Sequence, residues 1–473
     1  MVPERLHFLG ICGRAMGAIA SAMAAAGHRV TGSDEDVYPP MSGYLHERGL
    51  HVATPYAEAN VPPDADLVVV GKRVATDNPE LQSILARGLP HLSFPAFLRT
   101  RFLTRSRNAV VAGGVGKTTT TAMLAWILED AGCRPDYLIG GMARNFPAPA
   151  RLDATGLTVL EGDEYASAFD DPSPKFLHYA PDVVVVTNLV ADHPDLYPDP
   201  ASLRRVFTAL VRLLPSQGCL VVSADDEGAA GLAAEAPCPV RVTGLRANGG
   251  RQIDDVCLTP HGSRFRLDGT RFEVPLAGVM NVRNAALAVQ AAMHFGVSPE
   301  QAVRALASFR GLLSRQEPRH INGYTIVTDK ASHPSSIAEL CGALRQLYPG
   351  RRVISVIQPR ATGGKQWVYQ RDLPAALANF DKVILTDAYE HKPADTASWR
   401  HDPFCMETLE CDLRRLGVDV MQVGAMTNVP DAVRAVVCDG DVVLMSIREQ
   451  FATHVSAVEN AMWRGPSGVR TQG

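Results

Sequence analysis

Between Val110 and Thr121 the chain reads VVAGGVGKTTTT, a run whose residue types suit the holding of phosphate. Gly113, Gly114 and Gly116 let the backbone turn tightly, because a Cβ would obstruct both the turn and the close approach of an anion. Amides at the start of the following helix then face the phosphates, where the helix dipole also favours negative charge. Lys117 has the reach for β- and γ-phosphates, Thr118 offers a hydroxyl to magnesium, and Thr119 stands beside them. The apolar AVVAG before the loop and TAMLAWILEDAG after it, ending at Gly132, supply the strand and helix that this motif requires. The run predicts a bound nucleoside triphosphate.

Two later stretches, LTVLEGDEY and DVVVVTNLVADH, read as buried strands that end in polar residues. In an open parallel sheet the carboxyl ends of strands form the ligand crevice. Glu161, Asp163, Glu164, Asp192 and His193 are therefore expected beside the loop, as a metal site. Nearer the start, RLHFLGICGRAMG places Gly10, Gly13 and Gly17 after an apolar strand, and a second strand, HRVTGSD, ends at Asp34. That outlines a βαβ nucleotide-binding unit with an acidic residue for a ribose hydroxyl. The spacing G-x-x-G-x-x-x-G departs from the dinucleotide fingerprint, so a purely structural turn stands equally open. In MNVRNAALAVQAAMHFG, Asn281 is either a ligand contact or the cap of a helix.

These residues need elements to hold them, and α/β alternation runs the length of the chain. At 473 residues it exceeds one core, and about 150 residues per domain suggests three. The expected division is 1–107, 108–309 and 310–473: a Rossmann-like domain, a P-loop domain and a second Rossmann-like domain. YTIVTD, RRVISVI, DKVILTD, VDVMQVG and DVVLMSI are the strand-like runs of the last. A net charge of −4 and a pI near 6.4 exclude a global basic field, so nucleic acid is not an expected partner. No apolar run approaches the roughly 18 residues that cross a bilayer, and the start shows no signal-peptide pattern. Nine scattered cysteines without CxxC read as reduced thiols. A cytoplasmic protein, monomer or homodimer, acting on small molecules is expected.

HFLGICGRAMG, VTGSD, VYPPMS, VVVGKRVATDNPEL, AGGVGKTTTT, EGDEYASAF, DHPD and NVRNAALA together resemble the motif series of the Mur ligases. The resemblance covers the chain to about residue 310, and within the family is greatest to the branch that joins UDP-N-acetylmuramate to a free tripeptide. It implies three domains, for a UDP-sugar, for ATP and for an amino substrate. It also implies ATP-dependent amide formation through an acyl phosphate. By resemblance, Thr118, Glu164 and His193 go to Mg²⁺, and Asn281 with Asn284 to adenine. Arg315 reaches toward the phosphates. Asp329 and His333 match the family's DDxxHHP, and Lys330 takes the place of a lysine near ATP in the D-glutamate-adding ligase. Gly10, Gly13, Gly17 and Asp34 go to the nucleotide sugar, and Arg360 with Lys365 to the acceptor side.

The departures concentrate toward the amine. Gly114-Val115 replaces Thr-His in the loop, Met280 replaces a histidine, Ser314 an arginine and Ser332 a histidine. QPRATGGKQ keeps Pro359, Arg360, Thr362 and Lys365 of the pattern EPRSNTMK, and MSIREQF, with Arg448 and Glu449, replaces a glycine-rich segment. An amine other than the tripeptide is expected. Three further readings are a ligase of specialised metabolism, a non-catalytic nucleotide-binding homologue and, because GGVGKTTT also resembles their loop, a partitioning-type ATPase.

Overall fold

Strands buried on both faces read as unbroken apolar runs, as parallel sheets require. Leu67–Val70 and Val183–Val186 are such runs, Val353–Ile357 is one but for Ser355, and all three are buried throughout. Each lies in a different sheet of the computed structural model. The structure describes residues 3–39, 41–190, 196–197, 199–247, 249–359, 366–388, 404–447 and 451–463. Asp192, His193, Arg360, Thr362, Lys365, Arg448 and Glu449 lie outside the described residues.

The first sheet orders its strands Val52–Ala53, Arg29–Ser33, Arg5–Leu9, Leu67–Val70 and His91–Ser93, all parallel. At the centre of the second, Arg107–Ala112 lies between Val183–Val186 and Leu157–Glu161. Cys219–Ser223 and Val240–Gly244 extend it on one side, Asp136–Leu138 and Ala150–Arg151 on the other. The third orders Glu317–Ile321, Tyr324–Thr328, Val442–Ser446, Val353–Ile357, Lys382–Thr386 and Val420–Gly424. The architecture is α/β in three parallel-sheet units, as expected.

The structure adds two features to the sequence reading. Arg251–Thr259, Gly262–Leu267 and Thr270–Val274 form an antiparallel meander on the edge of the second sheet. Gly262–Leu267 and Thr270–Val274 bury alternate residues in a short period-two pattern with charged outer positions. Arg251–Thr259 buries only Ile253 and shifts register between Asp254 and Cys257, so none of the three reads as an apolar run. Glu317–Ile321 is a second antiparallel edge. Asn281 is not a cap: Gly278, with φ 92°, caps the helix Val279–His294 and places Asn281 inside it.

A buried polar network steadies the end of the strand that carries Asp34. Glu80 is fully buried and accepts from Ser33 Oγ at 2.5 Å, Asn60 Nδ2 at 2.7 Å and the Ala57 amide at 3.0 Å. His7 Nε2 lies 3.4 Å from it. Burial pushes the Glu80 carboxyl upward, but His7, Ser33, Asn60 and Ala57 hold it below its ordinary value. A depressed folded pKa stabilises fully above the unfolded value, about 4.3, and the gain is lost as pH falls through the folded one. Glu80→Gln should therefore cost roughly 1–3 kcal/mol at neutral pH, with the gap to wild type closing in acid. Urea titrations across pH check this, and a gap that does not change with pH would contradict it.

Candidate functional site

Packing forces the glycines of the phosphate loop. Gly113 has φ 134°, and a Cβ there would collide with Thr187 Oγ1. At Gly114 a Cβ would meet the Val190 carbonyl at 2.6 Å. Gly116, φ 88°, caps the helix Lys117–Asp130 and lets Asn284 Oδ1 come close, 2.6 Å from where its Cβ would stand.

Asn188, which the sequence reading passed over, splints this loop. Its Oδ1 accepts from the Gly114 and Val115 amides at 3.1 and 3.0 Å, and its Nδ2 donates to the Val115 carbonyl at 2.8 Å. Thr187 Oγ1 donates to the same carbonyl at 2.6 Å. The signal was there in the Thr-Asn that ends the strand Val183–Val186, whose neighbour in register is the loop's own strand.

Lys117 Nζ donates to the Gly113 carbonyl at 2.5 Å and to Glu164 Oε2 at 2.9 Å. Burial disfavours the ammonium, but Glu164, Asp163 and Glu161 keep its pKa above the ordinary lysine value, so it stays charged. Thr118 Oγ1 donates to Glu161 Oε1 at 3.0 Å, and the Gly140 amide to Glu161 Oε2 at 2.8 Å. Burial and Asp163 raise the Glu161 pKa. Burial works against the charged form of Asp163 too, yet Lys175, 3.5 Å away, and Lys117 hold its pKa down. Of the acidic set expected here, Glu161, Asp163 and Glu164 do converge on the loop. Among the described residues, no group of three or more His, Cys, Asp or Glu is arranged to hold a metal.

Apart from Gly113 and Glu164, these groups line one cavity of about 930 Å³ that residues of all three units enclose. From the first unit come Gly10, Gly13 and Asp34, with Arg14 between them. Asp34 accepts from the amides of Cys12 at 2.7 Å, Glu35 at 2.8 Å and Asp36 at 3.1 Å, which fixes both flanks of the turn. Gly17 serves packing, since a Cβ there would lie 2.5 Å from Met41 Sδ. In the second unit Asn281 Nδ2 donates to the Ala277 carbonyl at 2.7 Å, and Asn284 Nδ2 lies 3.4 Å from Asn281 Oδ1. Arg283 bridges Asp225 at 2.9 Å and Glu339 of the third unit at 2.5 Å.

The third unit contributes Arg315, Asp329, Lys330 and His333. Arg315 stands 3.6 Å from Asp329, which also accepts from the amides of Gln316 at 2.9 Å and Ala331 at 2.7 Å. His333 caps the helix Pro334–Leu347, its Nδ1 accepting from the Ser335 amide at 3.3 Å. Burial, with Arg14 and Arg315 nearby, brings the Lys330 pKa down to about 8.

Residues 5–102, 111–292 and 314–446 match, in turn, the Mur ligase family catalytic domain, the Mur ligase middle domain and the Mur ligase glutamate ligase domain. The chain is 37% identical over 387 residues to the Escherichia coli K12 UDP-N-acetylmuramate–L-alanyl-γ-D-glutamyl-meso-2,6-diaminoheptandioate ligase, covering 80% of this chain and 84% of that protein. It is 31% identical over 459 residues to UDP-N-acetylmuramate–L-alanine ligase of Burkholderia ambifaria, covering 94% and 95%. Among solved structures, murein peptide ligase of Psychrobacter arcticus superposes with a TM-score of 0.72 at 28% identity, over 97% of this chain and 99% of that one.

The Asn188 splint yields a prediction. Asn188→Ala removes the acceptor of two loop amides and a donor to one carbonyl, each worth about 1 kcal/mol net. Affinity for ADP should fall roughly tenfold to a hundredfold. Calorimetric titration measures it, and wild-type affinity in the variant would remove Asn188 from the loop's support.

Proposed function

The chain belongs to the Mur ligase family and is an ATP-dependent ligase that forms an amide bond, and from that premise we propose its substrates and residue roles. The acid is UDP-N-acetylmuramate or a related nucleotide-sugar acid, and the amine an amino acid or peptide. The names of the two relatives support the acid, because both act on UDP-N-acetylmuramate. The observation that carries the residue roles is the mostly buried lysine of the phosphate loop, which feels three carboxylates and lines a cavity that all three units share.

A carboxylate is a poor electrophile: its charge repels nucleophiles, and oxide does not leave. Moving the γ-phosphoryl of ATP onto it makes an acyl phosphate, from which an amine expels phosphate. Protein cations aimed at the moving phosphoryl lower that barrier. Lys117 is the first of these, released from Glu164 as phosphate oxygens take the carboxylate's place. Arg315 approaches from the third unit, with Asp329 fixing its position, and Lys330 and His333 line the same wall. Asn281 and Asn284 go to adenine by resemblance alone. The glycine turn of Gly10 and Gly13, with Asp34 holding both flanks, receives the nucleotide sugar.

Magnesium suits the donors here. Thr118 and Glu164 offer oxygen atoms, as does Glu161, and a cation that keeps most of its waters needs no closed cage of protein ligands. His193 joins this set by resemblance alone. When bound, the ion neutralises charge on the β- and γ-phosphates. A ligase that consumes ATP and a nucleotide sugar belongs in the cytoplasm, as a monomer or homodimer. No helix among the described residues is long and apolar enough to cross a membrane.

Phosphate release tests the reading. With ATP, Mg²⁺, UDP-N-acetylmuramate and murein tripeptide or single amino acids, release should rise well above the rate without acid or amine. Lys117→Ala should lower it by about 10²–10³. ATP consumed equally fast with neither substrate would overturn the proposal.

A further inference from the structure

Arg14 is the first residue of the helix Arg14–Ala25 in the first unit, directly after Gly13. Its guanidinium nevertheless reaches the second unit, where Nη1 lies 3.4 Å from the Gly140 carbonyl. Gly140 is no arbitrary anchor. Its amide donates to Glu161 at 2.8 Å, and the other oxygen of Glu161 accepts from Thr118 of the phosphate loop at 3.0 Å.

The electrostatic neighbours of Arg14 mark the same spot. Asp163 feels Lys175, Lys117 and Arg14, so Arg14 acts on a carboxylate that the loop lysine also acts on. Lys330 feels Arg14 as well, together with Arg315. Among the described residues Arg14 makes no ion pair of its own. Arg14, Lys117, Arg315 and Lys330 all line the cavity, and an anion placed among them would be attracted by each.

We propose that Arg14 is an arginine finger supplied in cis, carried by the acid-binding unit to the phosphoryl group as it leaves ATP. The inference rests on the phosphoryl transfer proposed above. In that step a carboxylate oxygen of the acid bonds to the γ-phosphorus, and the bond from that phosphorus to the β,γ-bridging oxygen breaks. ADP departs with the electron pair. Charge then spreads over the three equatorial oxygens, and a planar fork of N–H donors meets two of them better than a point charge does. The acid sits on the unit that carries Arg14, so one unit presents both the attacking carboxylate and the finger.

The rival use for this guanidinium is the diphosphate of a nucleotide sugar on the first unit, and the test separates the two. Thermal unfolding is followed for wild type, Arg14→Ala and Arg14→Lys with Mg²⁺ and ADP, with the same plus aluminium fluoride, and with UDP. Aluminium fluoride mimics the planar phosphoryl in flight. ADP alone should protect wild type and Arg14→Ala alike. Fluoride should add a further rise in wild type that Arg14→Ala loses and Arg14→Lys recovers in part. A full fluoride-dependent rise in Arg14→Ala overturns the assignment, as does a wild type that gains nothing from fluoride. Loss of UDP protection in Arg14→Ala with the fluoride response intact also overturns it, in favour of the diphosphate. Failure of ADP to protect wild type would instead remove the nucleotide reading, and the finger with it.

Discussion

An ammonium buried under a glycine turn has to be answered by negative charge, and the arrangement around Lys117 follows from that need. Glu164 takes the ion pair directly, while Glu161 and Asp163 stand close enough to keep the lysine charged. Three carboxylates so near one another repel. The protein relieves this unevenly: Lys175 steadies Asp163, whereas Glu161 is pushed toward its neutral form and leans on Thr118 and the Gly140 amide. The protein groups around Lys117 thus form a balanced set of charges. Phosphate oxygens can enter it by replacing carboxylate oxygens around the same cation, so little new order has to be created at binding.

That balance depends on parts brought from far apart in the chain. The parallel sheets present their strand ends to a common space, and residues of the first and third units close the cavity over the loop. Asp34 illustrates the division of labour. Three backbone amides occupy its oxygens, so it shapes the glycine turn, and the turn's backbone is left to meet a ligand. Lys330 illustrates the opposite case. Half-buried near two arginines, it holds its proton less firmly than an ordinary lysine, and an anion among those cations would restore that hold.

What could be read from sequence was whatever local pattern encodes. The phosphate loop, the apolar central strands and the helices after Gly13 and Gly116 are such patterns, and the three-unit α/β architecture followed from them. The meander Arg251–Val274 escaped because two of its strands alternate over few residues and the first, Arg251–Thr259, is largely open to water with a break in register. Asn188 and Arg14 escaped for a different reason. Both lie inside runs already singled out, HFLGICGRAMG and DVVVVTNLVADH, but no spacing rule marks either side chain, and each acquires its place only when a neighbouring strand or unit packs against it. Gly17 sits in a motif and yet serves packing against Met41, which spacing alone does not distinguish from ligand contact.

The central claim is that the phosphoryl group passes to a carboxylate before the amine attacks, and oxygen transfer tests it most directly. UDP-N-acetylmuramate carrying heavy oxygen in its carboxylate is turned over with ATP, Mg²⁺ and an amine, and the released phosphate is analysed by mass. The account predicts that each phosphate carries one carboxylate oxygen, because cleavage of an acyl phosphate by an amine leaves that oxygen on phosphorus. Phosphate whose new oxygen comes from water, with the label remaining in the acid, would contradict it.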